Sequence, residues 1–299
     1  HDVNIELYAE DGSRVDRIAG DDFEYDPKSG IARALGPVEI TLMKPTVAPA
    51  IAPKVSADKA TNPREKNSSL VSAARSATSG EIQVKTSGLI FDRDTGKAST
   101  GEKVEFALRE GSGSAIGANY DAHDGLLVLD RAVELRVQRG FDPVSMSAQH
   151  AVFERDDQVC ELTAALMRYR SDVANAASAR IYFRDDGSAE RLDANDGFHL
   201  HTVTGGRLSA PTGTLNFDEQ NQPVRGHLQG GVMIDYSHNG REMHGASPIL
   251  DLAFASQGVL RSVHLERGVE ITSDDVTSSA RGPLHTHRVW RSPVADVAF

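Results

Sequence analysis

The chain is poor in the residues that build disulfides, metal centres and membrane-spanning segments. Its 299 residues include one cysteine, Cys160, which excludes an intrachain disulfide and a cysteine-rich metal site. We predict a half-buried strand thiol at this position. No run of 18 apolar residues occurs, so no segment reads as a transmembrane helix. Aromatic residues make up 6% and hydrophobic residues 39%, which is typical of a narrow, extended structure rather than a compact sphere.

Basic residues are also in deficit. The chain has 32 Lys and Arg against 43 Asp and Glu, and its net charge is −11. Nucleic-acid binding needs clustered Lys and Arg, so the composition predicts no nucleic-acid partner. The chain also has no electrostatic attraction to an anionic membrane surface. We therefore expect any anionic lipid ligand to be held mainly by burial of its apolar part.

An internal repeat is the most informative feature of the sequence. An aromatic residue followed by a polar or acidic turn recurs seven times, and from Phe91 onward successive aromatics lie 29 to 37 residues apart. Asp and Gly in these turns supply the side-chain hydrogen bonds and the positive φ that a tight reversal needs. Each copy therefore predicts the end of a strand and a turn. The aromatic residues are Tyr25, Phe91, Tyr120, Phe153, Phe183, Phe217 and Phe254.

A second segment, apolar at alternate positions, follows each aromatic residue. It lies 13 residues after the first three aromatics and 15 residues after the last three, and the fourth copy is degenerate. Period-two alternation predicts strands with one apolar and one wet face. A single hairpin cannot bury such a face, so the units are predicted to stack. The segments are Val38-Glu39-Ile40, Val104-Glu105-Phe106, Val133-Glu134-Leu135, Ala165-Leu166-Met167, Phe198-His199-Leu200, Val232-Met233-Ile234 and Val269-Glu270-Ile271.

One segment interrupts the repeat. Residues 44–79 begin rich in Pro and Ala and continue rich in Ser, Ala and Asn, which predicts a flexible surface insertion with one short helix near Ser69–Arg75. The predicted organisation is a first unit over 1–43, the insertion over 44–79, and stacked repeats over 80–299 with an incomplete last unit. The predicted fold class is all-β, an elongated antiparallel β-jellyroll of stacked hairpins.

Three parts of the sequence carry a resemblance to a known family: Gly36-Pro37-Val38-Glu39-Ile40, Gly268-Val269-Glu270-Ile271, and the opening Ala9-Glu10-Asp11-Gly12 followed by Asp16-Arg17-Ile18. Over residues 1–43 and roughly 80–275 the chain resembles the OstA-like family of lipopolysaccharide-transport proteins, which includes the periplasmic LptA and LptC components. The resemblance implies a V-shaped, non-enzymatic β-jellyroll whose apolar slot holds the acyl chains of lipid A.

The same resemblance implies a location and partners. It implies a periplasmic protein without a cofactor, paired through edge strands with other lipopolysaccharide-transport components or with a second copy. Two roles stay open. One is docking at the inner-membrane transporter, with a tether outside this chain, and the other is a bridge between the membranes.

Three patterns that look like metal or catalytic motifs have simpler explanations. A structural zinc site needs four ligands, and neither of the two His-x-His pairs has a third and a fourth ligand placed nearby. We therefore predict solvent-facing histidines. The glycine-rich Gly111–Gly117 precedes no helix and predicts a loop rather than a phosphate site. Paired acids are assigned to turns rather than to a glycosidase or lyase site. The pairs are His199/His201, His285/His287, Asp21/Asp22, Asp185/Asp186 and Asp274/Asp275.

The apolar positions carry the functional prediction. An alternating apolar face is often only core, yet a filled core of this length would need more aromatic and Leu residues than the chain has, and a slot filled by a ligand needs fewer. We predict no catalytic and no metal-binding residue. A β-helix enzyme acting on polysaccharide and a structural or adhesive surface repeat protein stay as alternatives. The predicted lipid-binding residues, which we expect to form one continuous stripe, are Phe91, Val104, Phe106, Tyr120, Val133, Leu135, Phe183, Phe217, Val232, Ile234, Phe254, Val269 and Ile271.

Overall fold

The described part of the chain is almost entirely β-strand. The computed structural model describes residues 3–8, 15–42, 82–108, 111–139, 142–238, 241–279 and 282–298. These residues form 22 strands in one antiparallel sheet, besides one 3-10 turn over Ser256–Gly258, and no helix in them is long and apolar enough to cross a bilayer. The all-β prediction is confirmed.

The strands are β1 (Val3–Tyr8), β2 (Val15–Gly20), β3 (Phe23–Asp26), β4 (Ile31–Ala34), β5 (Val38–Leu42), β6 (Ile82–Thr86), β7 (Ile90–Asp92), β8 (Lys97–Leu108), β9 (Gly111–Asp121), β10 (Leu126–Arg139), β11 (Asp142–Ala148), β12 (His150–Glu154), β13 (Val159–Tyr169), β14 (Asp172–Phe183), β15 (Ala189–Asn195), β16 (Phe198–His201), β17 (Gly206–Ala210), β18 (Thr212–Phe217), β19 (Pro223–His238), β20 (Arg241–Phe254), β21 (Leu260–Ser279) and β22 (Gly282–Ala298).

The sheet folds over into two facing walls that join along a line of bends. Long strands such as β10 and β20 run through both walls, and register shifts mark where they bend, for example between Arg131 and Glu134. Left-handed backbone at Gly117 and Ala132 accompanies these bends. Shorter strands end at the bend line, and the chain continues in the other wall. The architecture is the predicted elongated β-jellyroll of stacked hairpins.

The two walls are defined by their strand pairing. Wall A consists of β1, β2, β5, β6, β11, β16 and β17 with the adjoining parts of the long strands, and wall B consists of β3, β4, β7, β12, β15 and β18 with the remaining parts.

The seven aromatic turns predicted from the sequence all lie at the end of wall B away from the bend line. Asp side chains close them as expected, because their carboxylates accept backbone N–H groups within the turn. Asp92 Oδ1 accepts the Asp94 N–H at 2.9 Å, and Asp121 Oδ1 accepts the His123 N–H at 3.0 Å. Backbone hydrogen bonds also connect successive turns. The repeat is therefore a stack of hairpins, one per copy.

Buried apolar side chains form two separate clusters. The first core extends over β1–β15, from Ile5 to Leu192, and the second core over β16–β22, from Phe198 to Ala295. Each core draws residues from both walls, because alternate residues of every strand point between the walls. The two walls thus enclose one elongated interior that contains two distinct apolar clusters.

The glycine-rich segment Gly111–Gly117 is not the predicted loop but the first part of β9. Its glycines are needed for close approach within the sheet. A Cβ at Gly113 would collide with the Phe106 ring and with the Glu134 carbonyl oxygen. Glycine therefore marks crowding in a strand here rather than a chain reversal.

The predicted insertion connects β5 and β6, which are neighbours in wall A. Residues 44–79, including the helix predicted near Ser69–Arg75, lie outside the described residues. The insertion therefore joins two adjacent strands at the end of wall A away from the bend line.

Candidate functional site

An apolar row crosses the inner face of wall A. The strand registers place one apolar residue or glycine from each described strand of this wall side by side, at the strand spacing of about 4.8 Å. We call this the wall A row. It contains Ile5, Ile18, Ile40, Val84, Phe106, Gly113, Leu135, Met146, Met167, Ala174, Leu200, Leu208, Ile234, Gly245, Ile271 and Trp290.

A matching row, the wall B row, crosses the opposite wall. Cys160 belongs to it and is half-buried in a strand, as predicted. Burial raises the pKa of the Cys160 thiol to about 12, so this thiol is not a ready nucleophile at neutral pH. The wall B row contains Tyr25, Ala32, Phe91, Ala98, Tyr120, Leu127, Phe153, Cys160, Ile181, Leu192, Leu215, Gly226, Leu252, Val263 and Val297.

The predicted lipid-binding residues all lie on these two inner faces. They line facing walls rather than one stripe, and their contact with lipid stays a prediction. In the degenerate fourth copy, Ala165 and Met167 lie on the same inner face. The wall B row holds Phe91 and Tyr120, and Phe183, Phe217 and Phe254 lie two positions nearer the turns on the same face. The wall A row holds Phe106, Leu135, Ile234 and Ile271, and Val104, Val133, Val232 and Val269 lie two positions nearer the bend line on the same face.

A buried ion pair joins the free edges of the walls in the first core. Asp16 lies in wall A, whereas Tyr120 and Arg155 lie in wall B near the turns. Arg155 Nη1 donates to Asp16 Oδ2 at 2.9 Å and to Tyr120 Oη at 2.5 Å, and the Tyr120 hydroxyl donates to the Asp16 carboxylate. The Asp16 and Arg155 side chains are 1% and 4% exposed. Such burial is tolerated because each charge has its partner.

The interior beside this ion pair is nearly filled. A cavity of about 30 Å³ lies between the walls, lined by residues that include Ile40, Val84, Tyr120 and Leu127. A water molecule needs roughly 10–15 Å³ of such space, so the cavity has room for a few water molecules. An acyl chain does not fit there without movement of the walls. This part of the first core is closed.

The second core is open by comparison. Trp290 in the wall A row is 48% exposed and Val297 in the wall B row is 41% exposed, although both lie on the inner face. In the first core, Ile18 and Ile40 of the wall A row are 0% and 9% exposed. Between β16 and β22, wall A presents six strands, a width of about 24 Å at the usual strand spacing. The second core is therefore an apolar groove with an accessible side.

Charged residues stand at the free edge of this groove. Asp274 and Asp275 lie in the middle of β21, so their assignment to a turn is wrong. Asp275 is buried and contacts Arg241 and Arg288, whereas Asp274 on the outer face contacts His287 Nδ1 at 2.6 Å. Sequence reasoning missed this cluster because its three members lie on three different strands. The available signal was the strict alternation of β21. Continued from Val269 and Ile271, it places Asp275 on the same inner face.

The other acidic pairs agree with the turn prediction. Asp21 and Asp22 lie between β2 and β3. Asp186 Oδ1 accepts the Ser188 N–H at 2.9 Å within the turn after β14. Asp185 lies in the same turn and accepts Gln158 Nε2 at 3.0 Å. These carboxylates shape turns rather than oppose each other across the groove.

The two His-x-His pairs lie on the outer surface. All four members of the His-x-His pairs are exposed, which confirms the solvent-facing prediction. Among the described residues, no group of His, Cys, Asp and Glu is arranged to hold a metal ion. Other outer histidines contact carboxylates across strands: His244 Nδ1 lies 2.6 Å from Asp235 Oδ1, and His264 Nδ1 lies 2.6 Å from Asp296 Oδ1. These hydrogen bonds raise the pKa of both imidazoles.

A comparison with known protein-family models found no match, and a comparison with curated protein sequences found none either. The resemblance to the OstA-like family stays a prediction. The function is therefore argued from the two walls.

Proposed function

We propose that the chain is a periplasmic, non-enzymatic carrier of the OstA-like kind, which holds the acyl chains of lipopolysaccharide, through its lipid A part, during transport between the inner and outer membranes. One observation carries the proposal. The apolar rows continue to β22, where their members are partly exposed instead of covered by the opposite wall. Exposed apolar side chains that line a groove are typical of a binding site.

Burial of an acyl chain supplies enough free energy for such a role. Each methylene transferred from water into an apolar site gains about 0.8 kcal/mol before losses. A chain of 14 carbons contains about a dozen methylenes, so covering half of them yields about 5 kcal/mol by the same figure. Binding therefore does not depend on a basic protein, and it is compatible with the net charge of −11.

The edges of the sheet support a partner by strand pairing. Among the described strands, β22 pairs only with β21 and β1 pairs only with β2. A strand of 17 residues with one side unpaired offers a row of backbone donors and acceptors to another chain. Val289 and Val294 of β22 are both 43% exposed on its outer face. We infer that other lipopolysaccharide-transport components or a second copy pair there.

The enzymatic alternative has less support. Every strand pair described is antiparallel, whereas a β-helix of the polysaccharide-lyase kind stacks parallel strands. The structural or adhesive alternative needs no accessible apolar interior, and the half-exposed groove of the second core favours the carrier.

A pair of adjacent substitutions in β21 tests the proposal. Ile271 lies on the inner face and Glu270 lies exposed on the outer face. Ile271→Asp should abolish binding of added lipopolysaccharide in native mass spectrometry, because an unpaired charge in an apolar groove is strongly unfavourable. Glu270→Ala should bind like the parent protein.

Thermal unfolding of both variants separates lost binding from lost folding. Parent protein that neither retains nor binds acyl chains, or equal loss in both folded variants, contradicts a carrier groove.

A further inference from the structure

The inner face of the second core changes from apolar to charged between the wall A row and the free edge. Ile271 and Trp290 are cross-strand neighbours in the wall A row. Toward the free edge, the same two strands carry Asp275 and Arg288 on the same face, and Arg241 of β20 lies directly opposite Asp275. The groove therefore has an apolar floor and a charged rim.

The rim carries a surplus positive charge. Asp275 Oδ1 accepts Arg241 Nε at 2.6 Å, and Asp275 Oδ2 accepts Arg288 Nη1 at 3.1 Å. Arg241 is the main cause that lowers the pKa of Asp275, so this carboxylate is ionised at neutral pH and faces two guanidinium groups. The Asp275 side chain is 11% exposed, but those of Arg241 and Arg288 are 63% and 53% exposed. The cationic groups therefore face the accessible side of the groove.

This positive charge is local to the last strands. Two positions from the wall A row toward the free edge, earlier strands carry no basic residue: most are uncharged, such as Val137 in β10, Val144 in β11 and Tyr169 in β13, and Asp16 in β2 and Asp172 in β14 are acidic. The corresponding residue of β22 is Arg288. A cationic rim in a chain of net charge −11 is a local exception and points to an anionic group at this place.

We propose that Arg241 and Arg288 bind the phosphate group of a phosphorylated lipid whose acyl chain lies against Ile271 and Trp290. The inference rests on the proposed function and adds the class of headgroup. A guanidinium fork matches two phosphate oxygens through parallel hydrogen bonds. Asp275 holds both arginines at the rim, and its single charge leaves the pair net positive.

Trp290 makes the site directly observable, because it is the only tryptophan in the sequence. Its fluorescence is titrated with tetradecyl phosphate, tetradecyl maltoside and inorganic phosphate, each below the concentration at which micelles form. Both amphiphiles should shift the emission to shorter wavelength, and tetradecyl phosphate should bind about tenfold more tightly, the effect of one charge-assisted hydrogen bond. Inorganic phosphate should leave the emission unchanged.

Two variants should shift this preference in opposite directions. Arg288→Gln leaves a neutral Arg241–Asp275 pair and should bind the two amphiphiles alike. Asp275→Asn removes the carboxylate and should increase the preference for the phosphate. A misfolded protein would lose binding in both cases, so the opposed signs exclude that explanation. Arg291→Gln is the matched control, because Arg291 lies on the outer face of β22 beside Glu270.

The outcomes separate this inference from the proposed function. Equal affinity of the parent protein for both amphiphiles overturns the headgroup site and leaves the groove intact. No binding of either amphiphile overturns the site and the proposed function together. If inorganic phosphate without an acyl chain shifts the emission or competes with tetradecyl phosphate, the arginines form a site for free anions. That result overturns the assignment of a lipid headgroup site.

Discussion

The first and second cores use the same inner rows but differ in what joins their free edges. In the first core, the buried ion pair of Asp16 and Arg155 joins wall A to wall B. In the second core, the corresponding edge carries Arg241 and Arg288, which are exposed and contact a carboxylate of their own wall. The repeat therefore builds the apolar walls, and residues outside the repeat decide whether the interior is closed or accessible.

Two glycines of the wall A row show the same difference in packing. A Cβ at Gly113 in the first core would collide with a ring and a backbone carbonyl. At Gly245 in the second core, the nearest heavy atom to a Cβ would be in Ile234, at an ordinary 3.5 Å. The first core is packed to the point where a methyl group does not fit, and the second core has space.

Breaking the buried ion pair should have the largest effect on stability. Arg155→Met removes the guanidinium group that contacts the buried Asp16 carboxylate, and breaking a buried ion pair in this way typically costs about 3–5 kcal/mol. The free energy of unfolding in urea measures this loss. Arg180→Met is the matched control, because Arg180 forms an exposed pair with Glu161, worth at most about 1 kcal/mol. Equal losses in the two variants would show that the ion pair does not hold the walls together.

A methyl group added to the wall A row should have a smaller effect that depends on the core. Gly113→Ala should lower the free energy of unfolding by about 1–3 kcal/mol through overpacking. Gly245→Ala, the matched change in the second core, should stay within about 0.5 kcal/mol of the parent protein. Urea unfolding of both variants checks the comparison. A larger loss for Gly245→Ala would mean that the second core is as tightly packed as the first.

The local chemistry of the repeat made the strands and turns predictable. Asp92 and Asp121 close their turns through contacts within three residues, which a sequence pattern reveals. Apolar alternation likewise placed residues such as Leu135 and Ile271 on one face. The fold class and the inner faces followed from these two patterns.

The closing ion pair was not predictable in the same way. Asp16 and Arg155 are 139 residues apart in the sequence, and nothing local marks either one as a partner. Asp275 was assigned to a turn because adjacent acids favour turns, yet two arginines from neighbouring strands hold it in β21. Gly113 was assigned to a loop because it lies in a glycine-rich segment. The sequence does not show that Gly113 packs against the Phe106 ring of the neighbouring strand. These errors share a non-local cause.

The outer His–Asp pairs should make the stability of the second core weakly dependent on pH. The pKa values of His244 and His264 are raised in the folded protein by hydrogen bonds to Asp235 and Asp296. Their stabilising effect is therefore fully present below the unfolded-state pKa of about 6.5 and is lost as the pH rises through the raised folded-state values. The free energy of unfolding, measured across this window, should fall with rising pH.

Matched carboxylate variants isolate this contribution. The Asp235→Asn/Asp296→Asn double variant should show a flatter pH dependence than the parent protein. Glu105→Gln removes an outer carboxylate of the first core that contacts Lys103, and it should leave the slope unchanged in this window. A parent-like slope in the double variant would show that these pairs do not affect stability.

Photo-crosslinking along the wall A row tests the central claim most directly. A crosslinking residue is placed in turn at Ile18, Ile40, Leu135, Ile234 and Ile271, and the protein is incubated with lipopolysaccharide. Capture should be absent at the two closed positions, should rise through Leu135, and should be strongest at the last two. A control at Glu134 or Glu270 on the outer face should capture nothing. A flat profile along the row, or capture on both faces alike, would contradict an open lipid groove in the second core.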